Sequence, residues 1–400
     1  MSVASTRSSV QALADGARAA GKVAIDTEFM GEGRYRTLLC LVQVAIPEQP
    51  GAVAHIEIVD PLAEDADGRP LAAILADPKV QVVVHAGRQD IALMRRWLDT
   101  EVRNVFDTQV AAGFVGLGAQ TSYESLLTEV LGVRLRKSAS FTRWDRRPLS
   151  AEQLAYARED VVHLLELAGG LERRLEQTGR LGWAREECEP LERSSDDRDE
   201  DAIFARLPRV HGLNSQARAI ARELVAWREQ TAARRDRPVQ SVLSDAALME
   251  LARRRPSRRE ELERIRGVGA AGSGRAAEEV LGAVRRGSER PAQVPPQDRR
   301  PQPPSPDDAP LIALAEALLR ARAREAGLAY ELLAARADLQ AIVTGQRGEG
   351  DEADVRTLRG WRRELVGEEL LRLLDGKVSL SVQQSGHGRR LFVDPRPGAA

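Results

Sequence analysis

The sequence predicts a mixed α/β domain followed by two all-helical domains, and three observations carry that prediction. Short apolar runs alternate with helical patterns between residues 20 and 190. From about 205 to 287 the pattern is wholly helical. The stretch "GSERPAQVPPQDRRPQPPSPDDAP", residues 287 to 310, is proline-rich and polar, and a further helical region follows it. A chain of 400 residues is long enough for two or three separate cores.

The elements follow in order. "KVAID", "LLCLVQVAI", "AHIEIVD" and "VQVVVHA" are short apolar, β-type runs. Helical patterns then enter as "DIALMRRWL", "SYESLLTEVLG" and "AEQLAYAREDVVHLLELAGGLERRLEQ". Three early strands in succession, then strand and helix in alternation, predict a mixed sheet with helices packed on it. "SSDDRDED", residues 194 to 201, is a charged break and is expected as an exposed linker. "LNSQARAIARELVAWREQTAARR", "SDAALMELARR" and "SRREELERIRG" are helical, with starts marked by Ser244–Asp245 and Ser257. A serine oxygen there accepts from a first-turn N–H that has no partner inside the helix. The proline-rich stretch has too little apolar surface to fold. Beyond it "LIALAEALLRARAREAGLAYELLAARADLQAIV" and "LRGWRRELVGEELLRLL" are helical, before "KVSLSV" and a loose tail. The expected units are 1–193, 205–288, a linker at 289–308, and 309–390.

The bulk numbers narrow the class. A hydrophobic fraction of 42% suits a soluble protein with real cores. The longest apolar run contains Gln43 and falls short of the roughly 18 residues that span a bilayer, so no membrane association is expected. The start, "MSVASTRSSVQALADG", lacks the basic and apolar regions of a secretory signal. Cys40 and Cys188 lie far apart and outside metal-ligand spacing, which fits a cytoplasmic protein in a reducing environment. The net charge of −1 opposes whole-chain attraction to a polyanion, yet 19 arginines face 11 acidic residues between Arg206 and Arg290.

One stretch behaves unlike a buried strand. "VAIDTEFM" begins apolar and then presents Asp26 and Glu28, two carboxylates on one face of the strand. Asp90 follows a β-type run at the start of a helix, in "VVVHAGRQDIALM". Tyr156 and Asp160, in "YAREDVVHLL", are four apart and share a helix face. Such an all-oxygen donor set suits Mg²⁺ or Mn²⁺, and no His or Cys cluster competes for zinc. Two such ions about 4 Å apart would hold an attacking water and a leaving 3′ oxygen on opposite sides of a phosphate. Without cations the acids would repel one another. Tyr156, with an ordinary pKa near 10, is expected to orient the nucleophile and not to act as a base.

"DTEF", "HAGRQD" and "YAREDV" resemble the three motifs of the DEDD 3′→5′ exonucleases, in the variant with tyrosine in the third. "LVQVA", "NVFDTQVAA", "SYESLLTEVLGVRLRKS" and "RRPLSAEQLAYAREDV" narrow the resemblance to the ribonuclease D family. It covers about residues 15 to 190. It implies a ribonuclease H-like fold, metal-binding acids at Asp26, Glu28, Asp90 and Asp160, and a catalytic tyrosine at Tyr156. The implied activity is stepwise removal of 3′-terminal nucleotides from RNA, including transfer RNA precursors, with release of 5′-mononucleotides. "SFTRWDRRPL" departs from the family's pattern by Arg143 ahead of Trp144, without loss of an acid. The same acids would serve a 3′→5′ DNA exonuclease, and the same fold would serve a non-catalytic RNA-binding protein.

Seven further residues are candidate substrate contacts. Phe29 would either stack on the terminal base or close the strand end as a buried aromatic. Gln43, polar within an apolar strand, needs a partner, either a nucleotide or the backbone. His85 lies close to Asp90 in sequence, and a satisfied core or rim histidine is the favoured reading over a ligand. Lys137 and Arg147, with Arg143 and Arg146, would neutralise phosphates. "GVGAAG", residues 267 to 272, matches a dinucleotide-binding pattern but follows a helix instead of a strand, so no nucleotide cofactor is expected. Residues 210 to 288 resemble an HRDC domain, which implies auxiliary RNA binding, and 309 to 382 a divergent second copy.

Overall fold

In the computed structural model, residues 7–47, 54–135, 143–290, 305–345, 353–385 and 388–395 are described. Helix α1 (Arg7–Ala20) leads into β1 (Lys22–Met30), β2 (Leu38–Ile46) and β3 (His55–Val59). Then come α2 (Arg69–Leu75), β4 (Gln81–Val84), α3 (Arg88–Leu98), β5 (Val105–Asp107) and α4 (Thr108–Phe114). The first unit closes with α5 (Tyr123–Leu126), α6 (Ala151–Val162), α7 (Leu164–Gln177) and α8 (Leu181–Cys188).

The five strands form one sheet in the order β3-β2-β1-β4-β5. β1 pairs antiparallel with β2 and parallel with β4, so the pairing changes type across β1. Alternation along β1 divides its side chains between two layers. Val23 and Ile25 join Val10, Leu13, Leu71 and Ile91 in the core under α1, α2 and α3. Ala24 joins Phe106, Phe114 and Leu167 in the core under α4 and α7. Asp26 and Glu28 continue the Ala24 face. Opposite them the β1–β2 register shifts between Glu28 and Phe29, a bulge at the strand end.

The long helical pattern after Ser150 is broken at His163 into α6 and α7. Ser150 caps α6 through a reciprocal bond pair with Gln153. The tail after "KVSLSV" forms an antiparallel hairpin of β6 (Val378–Ser385) and β7 (Gly388–Pro395), where a loose end was expected. The alternation in "VSLSV" and "RRLFVDP" was too short to separate from the helical pattern before it.

The helices beyond residue 200 split by core. Residues Phe204 to Val284 close their own core around Leu224, Leu248 and Val280. This unit meets the sheet through the β1–β2 turn. Tyr35 Oη donates to Glu229 at 3.1 Å, Arg198 lies over the Tyr35 ring, and Arg34 pairs with Asp236 at 2.8 Å. The last helices instead continue the α4–α7 core, with Leu318, Leu333, Trp361 and Leu370 in one cluster with Phe114 and Leu171. Trp361 stacks on Trp183 at 5.0 Å and meets Phe114 edge-on at 5.2 Å. The "GVGAAG" stretch is a helical turn from Gly269 to Gly272 between two helices.

Candidate active site

Asp26 and Glu28 leave the carboxyl-terminal half of β1, the place where an open α/β sheet presents ligand-binding groups. Asp90 stands in the first turn of α3, just beyond β4. Tyr156 and Asp160 come from α6, which packs across β1, β2 and β3. The four acids act on one another electrostatically. Burial pushes the Asp26 carboxyl well above the usual range, and Asp90, Asp160 and Glu28 push it further. Burial, then Asp160 and Asp90, raise Glu28 to about 8. Asp160 is raised to about 7 by burial and by Glu159. Asp90 is raised by burial, partly offset by the hydroxyl of Thr27, which donates to it. Burial first, then Asp160, Glu28 and Asp26, push the Tyr156 hydroxyl to about 12, so it keeps its proton at neutral pH.

Burial and like charge both disfavour the ionised form of a carboxylate, and both act here. The donor chemistry, all hard oxygens, fits a divalent cation. Among the described residues no three of these side chains yet enclose a common point as ligands.

The candidate substrate contacts divide. Phe29, 40% exposed, stands directly after the acids at the open strand end. Gln43 is the cross-strand partner of Asp26, fully buried, and both ends of its amide lack a hydrogen-bond partner among the described residues. His85 is half-buried, its Nδ1 2.9 Å from Thr108 Oγ1, and burial lowers its pKa. Lys137 lies outside the described residues. Arg143 pairs with Asp145. Arg147, expected to meet phosphates, is taken up elsewhere. Its fork donates to both oxygens of Asp60 at 2.5 Å, and to the carbonyls of Cys40 and Trp144. A guanidinium held bidentately and by backbone oxygens has its donors already in use.

Comparison with known proteins follows the same lines. A family model described as 3′-5′ exonuclease matches residues 1–176, and one described as HRDC domain matches residues 217–284. Over 98% of the chain, 36% of residues are identical to ribonuclease D of Acidiphilium cryptum, of which 96% is covered. The chain belongs to the ribonuclease D family. A second ribonuclease D, from Granulibacter bethesdensis, is 35% identical over 90% of this chain and 89% of its own. The crystal structure of Escherichia coli RNase D, an exoribonuclease involved in structured RNA processing, matches with a TM-score of 0.77 at 26% identity. It covers 94% of this chain and 99% of that one. As a member of this family, the protein is a 3′→5′ exoribonuclease. No helix among its described residues is long and apolar enough to cross a membrane.

Two neighbours of the four acids were missed from sequence. Thr27 was passed over as a spacer between Asp26 and Glu28, yet it reaches Asp90 across the strand end. Tyr123, at the start of α5, has its hydroxyl pKa raised by burial and also by Asp160 and Asp26, and its ring lies 5.6 Å from His85. No local pattern distinguishes such a tyrosine from one that merely packs.

Proposed function

We propose that Asp26, Glu28, Asp90 and Asp160 hold two divalent cations, Mg²⁺ or Mn²⁺, and that the protein removes 3′-terminal nucleotides from RNA by hydrolysis, releasing 5′-mononucleotides. The observation that carries this is the gathering of the four acids where the pairing changes type across β1, with burial first and then Asp90 and Asp160 raising both Asp26 and Glu28. The ions, when bound, neutralise phosphate charge and supply a nucleophile at neutral pH. Tyr156, protonated, orients the attacking water through its hydroxyl. Phe29 stacks on the terminal base at the open end of β1. Gln43 and His85 line the same end of the sheet, and Lys137 is left as a phosphate contact on sequence grounds alone. Transfer RNA precursors in the cytoplasm are the proposed substrates. The arginine-rich HRDC helices give auxiliary phosphate contacts.

The test is digestion of a 3′-labelled RNA beside the matched DNA, with Mg²⁺ and Mn²⁺ in turn. Mononucleotide release from RNA in the presence of metal supports the proposal. Faster release from the DNA would make it a DNA exonuclease, and binding without release would make it a non-catalytic RNA-binding protein.

A further inference from the structure

The turn that aims Asp90 is built on a single buried carboxylate. Asp107, 2% exposed at the end of β5, accepts four backbone N–H groups from two segments. Its Oδ1 takes Gln109 N at 2.8 Å and Val110 N at 3.4 Å, capping α4. The same oxygen takes Ala86 N at 3.0 Å, and Oδ2 takes Gly87 N at 2.9 Å. Ala86 and Gly87 are the two residues that turn the chain from β4 into α3, with Gly87 as the helix cap. Ala86 is held at φ 52, in the left-handed region, a conformation that needs outside support in a residue with a side chain. Thr108 secures the residues before them. Its hydroxyl donates to Val84 O at 3.1 Å and therefore accepts from His85 Nδ1 at 2.9 Å. The turn is tight as well as tied, because a Cβ on Gly87 would lie 2.5 Å from the Val84 side chain. Asp90 follows three residues after Gly87, in the first turn of the helix so fixed.

We propose that Asp107 is a positioning residue for Asp90: it sets the start of α3, and through it the direction in which Asp90 offers its carboxylate to a divalent cation. The inference rests on Asp90 being a metal ligand. Asp107 itself touches neither metal nor substrate. Groups that orient ligands in this way typically change metal affinity by about 10- to 100-fold when lost.

Asp107→Asn is the selective test. Asparagine caps a helix as well as aspartate does, so Oδ1 can keep Gln109 and Val110. Its amide nitrogen then faces the N–H of Gly87, donor against donor. Mn²⁺ affinity measured by calorimetry is expected to fall about 10- to 100-fold, with turnover on RNA recovering at excess Mn²⁺. Gly87→Ala, which displaces the same turn and leaves Asp107 intact, should weaken Mn²⁺ binding too, and it decides the matter if Asp107→Asn does not fold. A drop in melting temperature with unchanged Mn²⁺ affinity in these variants would overturn the proposal and leave Asp107 a structural cap. Asp90→Asn is the reference. If it leaves Mn²⁺ affinity unchanged, Asp90 is no ligand and both readings fall; if it alone weakens binding, only the role of Asp107 does.

Discussion

Thr27, buried between the two acids of β1, donates its hydroxyl hydrogen to Asp90 at the head of α3. The bond favours the charged carboxylate, against the burial that disfavours it. Thr27→Val keeps the shape and removes the donor. A hydrogen bond to a charged group contributes about 1.5–3 kcal/mol, so Mn²⁺ affinity should fall by roughly 10- to 100-fold. Calorimetry checks this, and an affinity equal to wild type would mean that Thr27 only packs.

Removing a charge from the cluster should separate activity from stability. Asp26→Asn and Asp160→Asn are each expected to abolish digestion of a 3′-labelled RNA. Each also relieves repulsion, so the metal-free variant should melt no lower than wild type at pH 8. Full turnover in either variant would end the proposed mechanism.

Tyr156→Phe keeps the ring against Trp144, 6.0 Å away, and deletes only the hydroxyl. The rate at saturating RNA and metal should fall by about 100-fold, the low end for a group that handles a proton or a water. Metal affinity should stay within about twofold, since the neutral phenol adds no ligand charge. A wild-type rate would take Tyr156 out of the catalytic set.

The acids also set a pH dependence of stability. Glu28 rises from 4.5 to about 8 and Asp160 from 3.8 to about 7 on folding without metal. The folded state therefore holds these protons more tightly than the unfolded chain does. The stability they contribute is fully present below about pH 4 and is lost as pH rises to about 8. Thermal melts of metal-free protein should show the melting temperature falling between pH 5 and pH 8 from this source. Added Mg²⁺ should reverse the fall, with most effect at the alkaline end. Asp160→Asn should flatten the profile; an unaltered slope in that variant would assign the effect to other groups.

Much of this site was legible because it is built from local signals. An acid pair at a strand end, an acid at a helix start and a Tyr–Asp pair at helical spacing each reveal which face they occupy. What joins them is not local. The bond from Thr27 to Asp90 spans 63 residues and the fork from Arg147 to Asp60 spans 87, and neither has a sequence period. The pairing of Arg147 was hidden for that reason, since a free cation and one already paired look alike in a sequence. The β6–β7 hairpin and the break at His163 were missed because short alternation and a single interrupted turn are weak against a strong helical background. The division of cores was hidden too, because helical spacing shows that a face is buried and not what buries it.

That division makes a prediction of its own. Trp361, 4% exposed, fills the space between Trp183 of α8 and Phe114 of α4, so a residue of the last helical region completes the core beneath the sheet. The backbone joins the same seam, with Ala329 N donating to Gly113 O at 3.0 Å and Arg180 donating to the carbonyls of Phe114 and Ala326. Removing a buried tryptophan to alanine costs about 3–5 kcal/mol, a large part of a domain's whole stability. Trp361→Ala should therefore lower the melting temperature of the exonuclease unit itself, although residue 361 lies far from it in sequence. The HRDC core around Leu224 and Leu248 shares none of these contacts and should keep its own transition. Near-ultraviolet circular dichroism during thermal unfolding, compared between Trp361→Ala and the core variant Leu248→Ala, distinguishes the two cores. A Trp361→Ala protein whose exonuclease unit melts as in wild type would show that the last helices rest on the catalytic domain without supporting it.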